Sequence, residues 1–167
     1  MNISLGQSIV KDEECKFRSQ YGNYTQTSSQ LDKFVKGFTD SSGKYPQIII
    51  TKSAGNARGN GPLRCTESPN FAFNTIISPA TAKNPIVVGS IDSNRIVSSF
   101  SSFGPTDDGR IKPDLVAPGA HSSQIETLEG IMTTKKDGGY EPIRGTSISS
   151  PIVGGLVALM EENWSKI

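Results

Sequence analysis

Short apolar runs separated by long polar stretches set the pattern of this chain. Residues 3–5, 48–51 and 86–89 are such runs, too short for helices, and they read as buried parallel strands. Between the first two the period becomes helical. Thr27-x-x-Gln30 has capping-box form, and Leu31, Phe34, Val35 and Phe38 follow helical spacing toward Gly37 and the turn Ser41-Ser42-Gly43. Residues 95–101 alternate less cleanly and predict an outer strand after the turn Asp92-Ser93-Asn94. From 152 to 160 the residues Ile152, Val153, Leu156, Val157, Ala158, Leu159 and Met160 are apolar on nearly every face, the pattern of a helix buried in a core. Gly154 and Gly155 would let that helix pack closely. Strands alternating with helices predict an α/β fold with a mostly parallel sheet. The connections 7–25, 57–77 and 121–143 read as surface loops.

Composition narrows the partners more than the fold. With 167 residues, 34% hydrophobic content and a net charge of +1, the chain can bury one core and offers no basic surplus for nucleic acid. No run reaches the length of a membrane span, and the polar start 2–11 is no signal peptide. The two cysteines, Cys15 and Cys65, are not spaced for metal binding. A disulfide between them and two free structural thiols are both open readings. Asp107, Asp108 and Asp114 sit among Gly and Pro, which reads as solvated turn chemistry.

The strongest candidate for chemistry is Ser147, in Arg144-Gly145-Thr146-Ser147-Ile148-Ser149-Ser150-Pro151. Gly145 allows backbone angles closed to other residues, and Thr146 or Ser147 can cap the orphan amides of a helix start. The positive end of the helix dipole there suits a developing oxyanion. Pro151 lies past the position where proline is comfortable, because it cannot donate to the carbonyl of Ser147. Taken alone, the stretch reads equally well as a plain cap on a core helix.

Neighbouring motifs decide between those readings. Ser98-Ser99-Phe100-Ser101-Ser102-Phe103-Gly104-Pro105, then Asp108-Gly109-Arg110-Ile111-Lys112-Pro113-Asp114-Leu115-Val116-Ala117-Pro118-Gly119, then Gly145-Thr146-Ser147 with Pro151, resemble in order the C-terminal half of subtilisin-like serine peptidases. Upstream, Ser53-Ala54-Gly55-Asn56 is similar to the family's oxyanion segment. Ser78-Pro79-Ala80-Thr81-Ala82-Lys83-Asn84 is similar to the segment leading into the strand at 86–89, and Ser4-Leu5-Gly6 to the substrate-binding strand. Ile148 and Ser149 depart from the usual Met-Ala after the serine. The resemblance implies a three-layer subtilisin-like fold, here its C-terminal part over residues 1–167, and a cis Ser78–Pro79 bond. It makes Ser147 the nucleophile, with the Asn56 side-chain amide and the Ser147 N–H around the oxyanion. Ser4, Leu5, Gly6, Ala54 and Gly55 become walls of the pocket for the residue before the scissile bond. An extended polypeptide substrate adds there as a strand, and small walls leave room for a sizeable apolar group.

The same resemblance implies absences. In the subtilisin order Asp precedes His and His precedes Ser, so both partners of Ser147 should lie upstream of Asn56. The chain carries neither an Asp-x-Gly start nor a His-Gly pair, and its one histidine, His121, follows Ala117-Pro118-Gly119-Ala120 with no acidic orienter placed by a motif. The N-terminal half of the catalytic domain is therefore an expected partner, and the chain alone is expected to be nearly inactive. A fragment of an active peptidase is favoured over a non-catalytic peptide-binding relic and over a half completed in trans. In isolation, 48–50 and the helix after Ser147 would expose apolar faces. The chemistry needs no cofactor. The family implies structural calcium in some members, without ligands assignable here, and a secreted or lumenal setting.

Overall fold

The computed structural model describes residues 1–6, 20–58, 74–120 and 130–164. In chain order the elements are β1 (Asn2–Ile3), α1 (Gln26–Lys36), β2 (Phe38–Asp40), β3 (Gly43–Tyr45), β4 (Thr51–Ser53), β5 (Ile86–Ile91), β6 (Leu115–Pro118), β7 (Ile131–Thr134), β8 (Tyr140–Ile143) and α2 (Thr146–Trp164). The central sheet runs β1-β4-β5-β6, all parallel, with Asn2 opposite Thr51, Thr51 opposite Ile86 and Val88 opposite Leu115. Two antiparallel hairpins, β2–β3 and β7–β8, lie outside it.

Alternation along the strands builds three layers, because successive side chains leave a strand on opposite faces. On β5, Val87 packs with Ala54, Ile76 and Ala80, while its neighbour Val88 packs with Ala117 and Val153. Ile50 packs with Leu31 of α1 and Ala82, with Ile3 and Val35 against them. Gly154 of α2 meets the sheet's other face so closely that a β-carbon on it would lie 3.1 Å from Thr51 Oγ1. Helix, parallel sheet and helix is the α/β architecture that the strand and helix pattern predicts.

Local chemistry shifts several predicted boundaries. Thr25, not Thr27, caps α1: its extended backbone ends at the helix and its Oγ1 accepts the N–H of Ser28. Gly37, at φ 70°, stops the helix before Phe38, which instead stacks on Tyr45 across the β2–β3 hairpin at 4.5 Å. The strand expected at 48–51 forms at Thr51–Ser53, because Ile48 donates to the carbonyl of Val35 and the apolar run serves the face under α1. Residues 95–101 make a single bridge, Ile91 to Val97, rather than a strand, since Ser98 and Ser101 turn inward to bond Ser90. Part of the expected loop 121–143 is the β7–β8 hairpin. β6 was hidden in the sequence by Pro118, which the outer position of that strand tolerates.

α2 is not buried all round as its apolar continuity alone suggests, and it exposes apolar faces as expected of this chain in isolation. Only Val153 among its apolar side chains is buried, while Ile152, Leu156, Leu159 and Met160 stand open. One face packs on the sheet and the others present a contiguous apolar surface. No helix among the described residues is long and apolar enough to cross a membrane. Cys15, Cys65 and His121 lie outside the described residues.

α1 is tied to the segment before β5 by one buried carboxylate. Asp32 accepts the N–H groups of Lys83 and Asn84 at 2.7–3.0 Å and the Tyr24 hydroxyl at 2.7 Å. That bond to Asp32 is the main reason the Tyr24 phenol is raised above its ordinary value. Asp32→Ala would leave two amides without their acceptor, so a loss of about 3 kcal/mol is expected in denaturant unfolding, with Asp32→Asn losing less.

Candidate active site

Three chain segments converge at the C-terminal edge of the sheet. β4 runs into Ala54-Gly55-Asn56, β1 into residues 4–6, and the start of α2 brings Gly145, Thr146 and Ser147. Ser4, Gly6, Ala54, Gly55, Asn56, Thr146 and Ser147 line one cavity of about 290 Å³. Leu5 does not join them: its side chain is 83% exposed and borders a separate apolar groove with Phe34 and Ile48.

Hydrogen bonds fix each of these groups. Asn56 Oδ1 accepts both the backbone N–H and the hydroxyl of Thr146, each at 3.0 Å. With its oxygen so engaged, the Asn56 amide turns its Nδ2 donor toward Ser147. Ser147 Oγ lies 3.1 Å, and Asn56 Nδ2 3.2 Å, from the point where a β-carbon on Gly145 would stand. Gly145 has φ 152°, so a side chain there would be strained in its backbone and would crowd Ser147 and Asn56. The Thr146 hydroxyl also accepts the N–H of Gly55 at 3.1 Å, locking the Asn56 loop to the helix start. Behind that loop, Ser102 donates its N–H to the carbonyl of Gly55 at 2.9 Å, and its hydroxyl accepts the N–H of Ala57 at 2.9 Å.

Pro151 explains another contact. Lacking an N–H, it leaves the carbonyl of Ser147 without its helical donor. The Ser4 hydroxyl donates to that carbonyl at 3.1 Å. Asn2 extends the same seam: its Nδ2 donates to Ser4 Oγ, and its Oδ1 accepts from Ser150 and Thr51. Ser147 sits in the first turn of α2, where backbone amides lack intrahelical acceptors and the dipole is positive. The arrangement presents a part-exposed hydroxyl and neutral donors facing one small space, which suits stabilisation of a developing oxyanion.

Sequence reasoning missed two residues here. Thr146, read as a helix cap, instead sets the orientation of Asn56. Lys52 reaches the same cavity although it is only 2% exposed. Its Nζ donates to Ser53 O at 2.7 Å and Ser53 Oγ at 2.9 Å. A charged residue breaking the apolar run just before Gly55-Asn56 was the available signal.

Burial pushes the Lys52 ammonium down to about 8 from its ordinary 10.5. The unfolded chain therefore holds more proton between pH 8 and 10.5, and stability should rise with pH across that window. Below pH 8 the full penalty of the buried charge remains. The expected slope reaches at most about 1.4 kcal/mol per pH unit. Lys52→Met should remove the rise, as read from denaturant midpoints measured at successive pH values.

Among the described residues no group of three or more His, Cys, Asp or Glu side chains is gathered to hold a metal ion. Asp114, structural by the family resemblance, accepts the N–H of Val87 at its Oδ2 and pairs with the Lys112 ammonium there, both at 2.7 Å. Asp108 is held down to about 2 by its bonds from Arg110 and Thr106.

Residues 1–166 match the sequence profile described as the Subtilase family, Peptidase S8. Serine protease AprX of Bacillus subtilis (strain 168) is 36% identical over 127 residues, covering 68% of this chain and 26% of that protease. Subtilisin-like protease SBT6.1 of Arabidopsis thaliana is 35% identical over 119 residues, covering 68% of this chain and 9% of the relative. Among solved structures, Prenylagaramide maturation protease PagA aligns with a TM-score of 0.52 at 22% identity, over 71% of this chain and 34% of its own, a likeness of fold. The chain thus spans about a quarter or less of the length of these two curated relatives.

Proposed function

The chain belongs to the subtilase family, and from that premise we propose that it carries the nucleophile and oxyanion half of a serine endopeptidase site. The observation that carries this reading is the joint placement of Ser147 Oγ and Asn56 Nδ2 on one space beside Gly145. In the proposed reaction Ser147 Oγ attacks the scissile carbonyl carbon and gives its proton to a base. The Ser147 N–H and the Asn56 amide take the charge of the resulting oxyanion. Collapse breaks the C–N bond, the amine leaves with a proton, and water then hydrolyses the acyl-serine ester. No step needs a cofactor.

The base is the part these residues do not supply. Family order places Asp and His upstream of the oxyanion segment, and the site as proposed is completed by an N-terminal half carrying them. The open apolar face of α2 fits a partner of that kind, because elements packed there would cover Leu156, Leu159 and Met160. An extended polypeptide is the proposed substrate, running past Ser4, Gly6, Ala54 and Gly55, in the secreted or lumenal setting usual for the family.

A fluorophosphonate that reacts with activated serines tests the reading. Ser147 should be labelled when an upstream segment bearing the Asp and His motifs is joined or added, and should remain essentially unlabelled in the 167-residue chain alone. No labelling under either condition, with peptide binding retained, would replace it by the peptide-binding relic.

A further inference from the structure

A pocket formed by small residues beside a serine nucleophile would be expected to take an apolar group. Lys52 changes that expectation. Lys52 is among the residues lining the cavity that Ser147 and Asn56 share, and its ammonium stands 3.8 Å from where a β-carbon on Gly6, another lining residue, would be. Its described partners are both neutral oxygens of Ser53. Ion pairs among the described residues join Arg110 to Asp108, Lys112 to Asp114 and Lys135 to Glu141, and none reaches Lys52. A buried cation whose partners among the described residues are neutral acceptors is costly, and the cost falls when a carboxylate arrives beside it.

We propose that Lys52 is a specificity residue, and that the cavity beside Ser147 receives an acidic side chain, Asp or Glu, from the substrate residue preceding the scissile bond. The inference rests on the peptide-cleft reading above and adds its substrate class. The geometry favours a carboxylate over other acceptors for two reasons. Lys52 Nζ has three donors, of which Ser53 engages two, leaving one for a ligand. Charge-assisted hydrogen bonds are also roughly twice as strong as neutral ones, most of all where water is thin. Burial has lowered the proton affinity of this ammonium to about 8, so it is mostly charged at neutral pH and loses that charge in mildly alkaline solution. Discrimination for acidic ligands should fade in parallel.

Binding to the whole 167-residue chain tests this without requiring turnover. Fluorescence anisotropy would compare N-labelled Ala-Ala-Pro-X amides in which X is Glu, Asp, Gln, Leu or Lys, with a free-acid peptide ending in Ala as a further arm. The Glu or Asp amide should bind at least about tenfold more tightly than the Gln amide at pH 7, the scale of one charge-assisted bond. That ratio should collapse above pH 9 and in Lys52→Met, and Lys52→Glu should turn the preference toward the Lys amide. The wild-type comparison and its pH dependence stand even if a variant folds poorly. Equal affinity for Glu and Gln amides, or a preference that survives in Lys52→Met, would overturn the assignment of Lys52 and leave the cleft reading intact. Preference for the free-acid peptide alone would overturn it in favour of C-terminal carboxylate recognition. If no peptide of the series binds, the cleft reading falls and this inference with it.

Discussion

Ser147→Ala is expected to lower kcat by about 10⁶-fold in the protein completed by its N-terminal half, with KM nearly unchanged and phosphonate labelling abolished. The magnitude is the one known for loss of the nucleophile in subtilisin. Its logic can be followed in this structure. Ser147 is half-buried and its hydroxyl makes no hydrogen bond among the described residues, whereas the bonds seating the segment run through Thr146, Gly145 N–H and the Ser147 carbonyl. Removing one oxygen therefore leaves the cavity, the Asn56 amide and the strand-binding edge in place. About 10³–10⁴ over the water reaction should survive from binding and the oxyanion donors. The chain without its partner should show the same residual level, and Ser147→Ala should then change nothing measurable. Steady-state kinetics with a chromogenic peptide checks both halves of the expectation. A completed enzyme that keeps its rate in Ser147→Ala would remove this serine from the mechanism.

Much of this site could be read in the sequence because glycine, proline and asparagine were asked to do things few other residues can. Gly145 at φ 152° and Gly55 at φ 107° mark the two turns that bring Ser147 and Asn56 together, and the cis Ser78–Pro79 bond lies where the resemblance places it. Periodicity found β5 and both helices, since each buries a face, whereas of the run at 3–5 only Ile3 falls in β1 and Leu5 is exposed. It missed whatever depends on contacts between distant segments. Thr146 looked like an ordinary cap until Asn56, 90 residues away, took both its donors. Lys52 lay just past the apolar run at 48–51 and drew no reading, and only the pairing of its strand with Ile3 and Val87 brings it to the cavity lining. The apolar continuity of α2 predicted complete burial, yet a periodicity argument counts the apolar faces without knowing how many neighbours are present to cover them.

Asn56→Leu is expected to cost about 10² to 10³ in kcat with little change in KM, the range found when this donor is removed from subtilisin. A neutral amide suits the role because it stabilises the oxyanion without competing for the serine proton. Its value depends on being held in place before charge develops. Here the holding is done by Thr146, whose hydroxyl both donates to Asn56 Oδ1 and accepts from Gly55, and which is itself 1% exposed. Thr146→Val keeps the volume but leaves Gly55 N–H unpaired and the Asn56 amide held by the Thr146 N–H alone, so a loss of about tenfold in kcat is expected from one hydrogen bond. The two effects should not add, because Thr146 acts on the reaction only through Asn56. In the Asn56→Leu background, Thr146→Val should leave kcat unchanged while still lowering the denaturant midpoint. If the two substitutions multiplied in kcat, Thr146 would be touching the transition state by itself, and the positioning role assigned to it would be wrong.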